Sequence, residues 1–141
     1  MSSAKAAATA GQPGSLYLVS TPIGNLGDLS HRAVEVLTSA ALVIAEDTRH
    51  SRGLLDHYGI ATSLNSYHEH NEAKETPRLI ARLLSGDSIA LISDAGTPLI
   101  SDPGSRLVAG ALEAGIPVVP IPGASSVMAA LVASGLSLER F

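Results

Sequence analysis

Two carboxylates that could contact a ligand, Asp47 and Asp94, follow short runs of aliphatic residues, where β-strands would end. Asp94 lies in the segment 93–104, which is longer than the roughly two to six residues that usually link a strand to a helix. The same segment contains Asp102 and Pro103, which are typical of an N-cap and a first helical residue. Asp94 has no such structural role. At the end of a strand, it could accept hydrogen bonds from ligand hydroxyl or amino groups.

The segment from Glu46 to Arg52 places two adjacent carboxylates beside two arginines. One interpretation is an ion-pair cluster, with Thr48 as the N-cap of a helix. In the other, Arg49 and Arg52 bind an anionic substrate and Asp47 orients them, because the guanidinium fork suits phosphate recognition. The residue types alone leave both interpretations open.

The segment 93–104 is one of three loops rich in glycine and proline, each of which follows an aliphatic run and precedes a helical pattern. In an α/β sheet, the loops at the C-terminal ends of parallel strands meet on one edge, where ligands bind. These loops therefore predict a ligand crevice. The first of them lacks the glycine spacing of the dinucleotide and P-loop motifs, and its Asp28 would cap the following helix. The loops span 20–28, 93–104 and 120–126.

Two histidines, His68 and His70, raise the question of a metal site. They have no third ligand at a diagnostic spacing, so we expect a polar loop near the crevice and no metal. The chain has no cysteine, which removes disulfides, thiolate metal sites and thiol nucleophiles and is typical of a reducing cytoplasm. It also has no G-x-S-x-G sequence, which argues against a hydrolase of that type.

Short aliphatic runs alternate with amphipathic stretches from residue 16 onward, a pattern that predicts βα units and a parallel sheet. We expect an α/β fold, a five-stranded, mainly parallel sheet with helices on both faces, in which the first and fourth strands are adjacent. Thr76 and Pro77 could mark the true start of the third helix, and Gly115 would end the fourth. The strands are predicted near 16–20, 42–45, 62–65, 88–92 and 117–120, and the helices near 29–40, 49–58, 72–85, 104–115 and 124–134.

The composition of the 141 residues is 45% hydrophobic, 16% charged and 3% aromatic with a net charge of −4, as in soluble globular proteins. Few aromatics and an acidic balance argue against a base-stacking nucleic-acid binder, apart from a local basic cluster around Arg49, His50 and Arg52. No apolar run approaches the roughly 20 residues of a membrane span.

Residues 1–15 are expected to be a disordered leader or an expression remnant. The helix at 124–134 is apolar on nearly every face, so we expect a further part of the protein to cover it, and partial burial of a helix of small residues is the alternative.

Five ordered motifs resemble the tetrapyrrole methylase superfamily of S-adenosylmethionine-dependent methyltransferases, and most closely its members that act on small-subunit ribosomal RNA. The resemblance spans residues 16–141. Its motifs are LYLV at 16–19 with TPIGNL at 21–26, AEDTRH at 45–50, HEHNE at 68–72, SDAGTPLI at 93–100 with DPG at 102–104, and VPIPG at 119–123.

This resemblance implies that S-adenosylmethionine binds, without a metal, between two α/β domains. Residues 16–141 would form the N-terminal domain, and the C-terminal domain is absent from the chain. The donor has no phosphate, which agrees with loops that are poor in basic residues. The donor contacts implied by the resemblance are Pro22, Asp94, Ala95, Gly96, Thr97, Ile100, Ser125 and Ser126.

The resemblance also implies the reaction, which is methylation of a cytidine ribose 2′-hydroxyl in small-subunit ribosomal RNA by a cytoplasmic homodimer. The partner would be this RNA or the 30S subunit, with Arg49 and Arg52 binding RNA and Asp47 and Asp94 as candidate catalytic bases. Because the C-terminal domain supplies the remaining donor contacts, the chain alone is expected to be inactive. A tetrapyrrole-type small-molecule methyltransferase and a non-catalytic nucleotide-binding module remain alternatives.

Overall fold

The computed structural model describes residues 12–22, 24–93, 104–123, 130 and 132–135. Within these ranges, strands alternate with helices, and their boundaries differ from the predicted ones by no more than two residues. The strands are β1 (Leu16–Val19), β2 (Leu42–Ala45), β3 (Leu64–Ser66), β4 (Ile89–Ile92) and β5 (Val118–Ile121). The helices are α1 (His31–Ser39), α2 (Thr48–His57), α3 (Glu72–Leu84) and α4 (Ser105–Glu113), with a single 3-10 turn at Leu26–Asp28 before α1.

The strands form one five-stranded sheet in the order β3-β2-β4-β1-β5, and each of these pairings is parallel. β1 lies between β4 and β5, with Leu16 opposite both Ile89 and Val118. The predicted α/β fold and the adjacency of the first and fourth strands are therefore confirmed. β3 and β5 form the two edges of the sheet.

The helices cover both faces of the sheet and enclose two separate apolar clusters. One cluster contains Leu37 of α1 and Leu55 of α2, and the other contains Leu83 of α3 and Leu107 of α4. Right-handed crossovers explain this division, because the chain runs toward β3 through α1 and α2 and returns through α3 and α4. The direction reverses between β1 and β4, and such a reversal is where open α/β sheets bind ligands.

The N-caps of the first two helices differ from the predicted ones. Ser30 caps α1 through its side-chain oxygen, whereas Asp28, the predicted cap, lies in the preceding 3-10 turn. Asp47 caps α2, whereas Thr48, the predicted cap, is the first helical residue. In both places two residues with capping side chains lie close together in the sequence, and the path of the chain decides which one flanks the helix.

The start of α3 also differs from the prediction at Thr76 and Pro77. The helix begins at Glu72 and continues through Pro77. Pro77 has no N–H, so the carbonyl of Ala73 loses its helical hydrogen bond. Ala73 is exposed, so water can hydrogen-bond to this carbonyl instead. The Thr76 hydroxyl donates to the Glu72 carbonyl at 2.6 Å instead of starting the helix.

The ends of α4 depend on two glycines with positive φ. Gly104, with φ 132°, is at the N-cap position of α4, and the predicted cap, Asp102, lies outside the described residues. Gly115, with φ 74°, follows the helix, and the next N–H, that of Ile116, donates to the Ala111 carbonyl at 2.9 Å. The predicted stop at Gly115 is confirmed.

The predicted disordered leader is too long at its C-terminal end. Gly14 is buried and its N–H donates to the Leu83 carbonyl at 2.8 Å, and the N–H of Ser15 donates to the Ser88 hydroxyl at 3.1 Å. A Cβ on Gly14 would lie 2.0 Å from the carbonyl oxygen of Asp87, so this contact requires glycine. Residues 14 and 15 therefore belong to the folded body.

The predicted last helix, 124–134, falls mostly outside the described residues. Residues 130 and 132–134 are helical, and Val132 is exposed. In the described part of the chain, no helix is long and apolar enough to cross a membrane.

Candidate functional site

The C-terminal ends of β1 and β4 meet at the floor of the predicted crevice. Ser20 and Thr21 follow β1 and Ser93 follows β4, and these three polar residues are 3%, 1% and 4% exposed. The Thr21 hydroxyl donates to the Ser93 carbonyl at 3.4 Å, and this bond joins the bases of the first and second loops. Two of the three loops therefore begin side by side, as the sequence predicts.

The third loop begins against the first one. The N–H of Ser20 donates to the Ile121 carbonyl at 3.2 Å, at the end of β5. A Cβ on Gly123 would lie 3.0 Å from the Ser20 Cβ, tighter than ordinary van der Waals contact, so glycine allows the two loops to approach each other. The described ends of β1, β4 and β5 thus form one floor without a charged side chain.

Asp47 lies at the end of β2, and its carboxylate faces its own helix. Its Oδ1 accepts hydrogen bonds from the N–H groups of Arg49 at 3.0 Å and His50 at 3.4 Å. In the described part of the chain, no ion pair joins Glu46 or Asp47 to Arg49 or Arg52, so the ion-pair cluster does not form. The second carboxylate oxygen, Oδ2, makes no hydrogen bond to a described residue.

Arg49 and Arg52 lie one turn apart on α2 and line the same surface depression, of about 450 Å³. Arg52 donates to the Thr62 carbonyl at 3.3 Å and lies 3.7 Å from an Asp56 carboxylate oxygen. Arg49 is exposed, and no described residue pairs with its guanidinium. The structure therefore brings together the two arginines that the sequence singled out. β2 pairs with β4, whose end forms part of the crevice floor, so α2 starts one strand spacing, about 5 Å, from that floor.

A second depression, of about 360 Å³, adjoins the first and shares Thr48 and Leu64 with it. Its remaining lining residues are Asn65, Ser66, Asn71, Glu75 and Arg78. Sequence reasoning did not select any of these as site residues, although Asn71 falls within one of the motifs. Arg78 carries no sequence signal, because its position beside β3 depends on how α3 packs.

His68 and His70 are used within their own loop. The N–H of His70 donates to Nδ1 of His68 at 3.2 Å, and the two ring centroids are 5.8 Å apart. The N–H of His68 donates to the Asn71 side-chain oxygen at 2.8 Å. Among the described residues, no three His, Asp or Glu side chains are grouped as metal ligands would be.

Tyr67 is a buried anchor that sequence reasoning did not identify. Its N–H donates to the Ala45 carbonyl at 2.8 Å, and its hydroxyl lies 2.9 Å from the Thr76 hydroxyl. Because Thr76 donates its proton to Glu72, the Tyr67 hydroxyl is the donor of the pair. Burial raises the pKa of the Tyr67 phenol, although the nearby N–H of Leu107 lowers it. Tyr67 thus fixes the end of β3 to α3.

Most of the predicted donor contacts fall outside the described residues. Pro22, which follows Thr21, is described and half-buried. The residues outside the described ranges are Asp94, Ala95, Gly96, Thr97, Ile100, Ser125 and Ser126.

The chain matches the family model of the tetrapyrrole (corrin/porphyrin) methylases over residues 15–141. A ribosomal RNA small subunit methyltransferase I from Xylella fastidiosa is 57% identical over 129 residues, which are 92% of this chain and 47% of that protein. The protein of the same name from Mesorhizobium japonicum is 60% identical over 126 residues, or 89% of this chain and 43% of that protein. The chain therefore spans a little under half the length of these relatives.

Solved structures resemble the chain over nearly its whole length. Uroporphyrin-III-C-methyltransferase from Thermus thermophilus superposes with a TM-score of 0.66 at 31% identity, covering 90% of this chain and 55% of that one. A conserved hypothetical protein from Aeropyrum pernix K1 gives a TM-score of 0.71 at 26% identity, covering 92% and 46% of the two chains. Fold, motifs and sequence agree, and the chain belongs to the tetrapyrrole methylase family.

Proposed function

We propose that this chain forms the N-terminal domain of an S-adenosylmethionine-dependent enzyme that methylates a cytidine ribose 2′-hydroxyl of small-subunit ribosomal RNA. The observation that carries this proposal is the 57–60% identity to relatives named for methylation of that RNA. The family fold and the loops that meet at one edge of the sheet support it. Such a substrate would place the enzyme in the cytoplasm, as the homodimer that the family resemblance implies.

The crevice floor fits the proposed donor. S-adenosylmethionine carries a nucleoside, an amino acid and a sulfonium, but no phosphate. The described ends of β1, β4 and β5 offer backbone and hydroxyl groups and no cation that would neutralise a phosphate. In the proposed site, Asp94 accepts hydrogen bonds from the donor, and Pro22, Ala95–Thr97, Ile100 and the Ser125–Ser126 pair complete the contacts.

Positioning is the main contribution that the protein makes to this reaction. When bound, the donor supplies a methyl group on a good leaving group, so alignment of the ribose oxygen provides most of the rate enhancement. A general base for the 2′-hydroxyl is needed, and both Asp47 and Asp94 remain candidates. Oδ2 of Asp47 is available to accept a proton, because Oδ1 holds the helix N-terminus.

The two arginines of α2 are proposed to bind RNA. Arg49 is exposed beside the crevice and Arg52 lies one turn further along the same depression. A guanidinium fork matches the geometry of a phosphate better than an ammonium does. We therefore assign Arg49 and Arg52 to the substrate and Asp94 to the donor.

A pair of substitutions in the full-length protein tests this division. Asp94→Ala should weaken donor binding about ten- to hundredfold in calorimetry. Arg49→Ala should raise the KM for the 30S subunit and leave the donor affinity unchanged. Methyl transfer is followed with tritiated donor, and the product nucleoside is identified as 2′-O-methylcytidine. Normal donor binding by Asp94→Ala, or a loss of donor affinity in Arg49→Ala, would contradict the assignment.

The second candidate is a small-molecule methyltransferase, which the 31% identical uroporphyrin-III-C-methyltransferase favours. Incubating the full-length protein with tritiated donor and either 30S subunits or a tetrapyrrole precursor separates the two. Label in the tetrapyrrole alone would select this candidate. Binding of adenine nucleotides without any affinity for S-adenosylmethionine would instead indicate a non-catalytic module.

A further inference from the structure

The two depressions beside β3 form one continuous strip along the edge of the sheet. They share Thr48 and Leu64, and among the strands that the structure describes β3 has a neighbour on only one side. We call the surface lined by Arg49, Arg52, Asn65, Asn71, Glu75 and Arg78 the edge strip. It starts next to the Asp47 cap and leads away from the crevice floor.

Arg49 and Arg78 of the edge strip are only weakly engaged by the protein itself, whereas Arg52 also donates to the Thr62 carbonyl at 3.3 Å. Arg78 lies 3.7 Å from Glu75 and its side chain is 66% exposed, and Arg52 lies 3.7 Å from Asp56. Exposed pairs at this separation contribute little to stability, so a phosphate can replace the carboxylate at small cost. Arg49 has no such partner among the described residues.

The uncharged groups of the edge strip suit a ribose. Asn65 is exposed on the edge strand, and no described residue hydrogen-bonds its side chain. Asn71 is committed to its loop, because its amide nitrogen donates to the Ser66 carbonyl at 3.2 Å and its oxygen accepts from His68. A free side-chain amide can recognise a ribose 2′-hydroxyl, which both donates and accepts.

The edge strip contains no aromatic side chain on which a base could stack. Guanidinium and amide groups without such a platform bind phosphate and sugar, and contacts of that kind position a nucleic acid without reading its sequence. The β3 part of the strip lies two strand spacings, roughly 10 Å, from β4 and the crevice floor, so nucleotides that flank the target would occupy it.

From these contacts we infer that the edge strip binds the ribose–phosphate backbone of the RNA strand next to the methylated nucleotide, with Arg78 on a phosphate and Asn65 on a ribose 2′-hydroxyl. The inference rests on the proposed function and extends the RNA-binding surface from α2 onto β3 and α3. It also assigns selectivity for RNA over DNA to Asn65.

The test uses full-length protein and a labelled fragment of small-subunit ribosomal RNA, with binding followed by fluorescence anisotropy over a series of salt concentrations. Arg78→Ala should bind the RNA about fivefold more weakly near 0.1 M salt. The slope of log affinity against log salt concentration should become about 0.7 less steep, as for one lost phosphate contact on a single strand. Arg78→Lys should restore most of the salt dependence. Asn65→Ala should weaken RNA binding without changing the salt dependence, and should leave binding of the equivalent DNA strand unchanged.

Arg82→Ala is the matched control, because Arg82 lies one turn further on α3 and pairs with Asp87 at 3.0 Å, outside the edge strip. It should bind RNA like the unmodified protein, and the donor affinity should be the same in all variants. If Arg78→Ala binds RNA like Arg82→Ala while Arg49→Ala loses RNA affinity, the inference that the edge strip binds RNA is wrong and the proposed function stands. If the unmodified protein binds donor but no ribosomal RNA, the proposed function itself fails and the strip with it.

Discussion

Replacing Asp47 by alanine and by asparagine separates its helix-capping role from a catalytic one. The carboxylate accepts one hydrogen bond of ordinary length, 3.0 Å from Arg49, and one longer bond, 3.4 Å from His50. Loss of a cap of this kind costs about 1 kcal/mol, so Asp47→Ala should lower the free energy of unfolding by that amount. Asparagine keeps an oxygen in the same place and caps helices about as well as aspartate, so Asp47→Asn should be nearly neutral.

Thermal unfolding of the full-length protein, followed by far-ultraviolet circular dichroism, measures the capping role. For a full-length protein of roughly 280 residues, the length of its relatives, a loss of 1 kcal/mol lowers Tm by about 2 °C. Thr48→Ala is the control, because Thr48 is the first helical residue and not the cap, and its Tm should change by less than about 1 °C. An Asp47→Asn variant as unstable as Asp47→Ala, or an Asp47→Ala variant with an unchanged Tm, would refute the capping assignment.

Methylation kinetics at saturating donor then measure the catalytic role in the same variants. If the Asp47 carboxylate is the general base, Asp47→Asn and Asp47→Ala should lose turnover to the same extent although only the second is destabilised. If Asp47 is a cap alone, Asp47→Asn should turn over normally, and Asp94 remains as the candidate base.

Three further changes test the packing described above. Gly14→Ala should destabilise the protein by about 1–3 kcal/mol in urea unfolding, because its Cβ would lie 2.0 Å from the Asp87 carbonyl, and amide exchange near residue 14 should accelerate. Gly123→Ala should weaken donor binding in calorimetry more than it lowers Tm, since its Cβ would press on Ser20 at 3.0 Å and separate the first and third loops. Tyr67→Phe should lower the free energy of unfolding by about 1 kcal/mol at neutral pH, because the hydrogen bond between the Tyr67 and Thr76 hydroxyls is lost. Burial raises the folded-state pKa of Tyr67, so its neutral form stabilises the fold fully below about pH 10 and this contribution is lost as pH rises further. The difference in Tm between the unmodified protein and Tyr67→Phe should therefore shrink above about pH 10, and a constant difference would contradict this account.

The aliphatic strands were predictable because each is a short apolar run that ends at turn residues. β3 was placed two residues too early, since the predicted strand began at Thr62. The Thr62 hydroxyl donates to the Leu37 carbonyl at 2.6 Å, and the Thr62 carbonyl accepts a hydrogen bond from Arg52. Thr62 therefore makes its contacts outside the sheet. A polar edge strand gives little local signal to correct such an error.

Residues of the candidate site could be predicted from the sequence only where a side chain suited to binding a ligand follows shortly after a clear strand. Arg49 and Arg52 follow the end of a clear strand by four and seven residues and lie on one helical face, so their position in one depression follows from the local pattern. Tyr67 and Arg78 gave no such signal. Tyr67 is buried against α3, where its partner Thr76 lies nine residues further along the chain. Arg78 lies beside β3 only because of the way α3 packs.

The position of β1 inside the sheet, between β4 and β5, has a consequence for synthesis on the ribosome. β1 emerges before the other described strands, yet both of its neighbours, β4 and β5, are translated much later. Ser15 and Ser88, which are hydrogen-bonded beside the start of β1 and β4, are 73 residues apart. At roughly 5–20 residues per second, this apolar strand waits several seconds for its first partner, while β2 and β3 are complete much sooner. The nascent chain must therefore be protected from association during that interval, and the edge that carries the crevice is assembled only at the end.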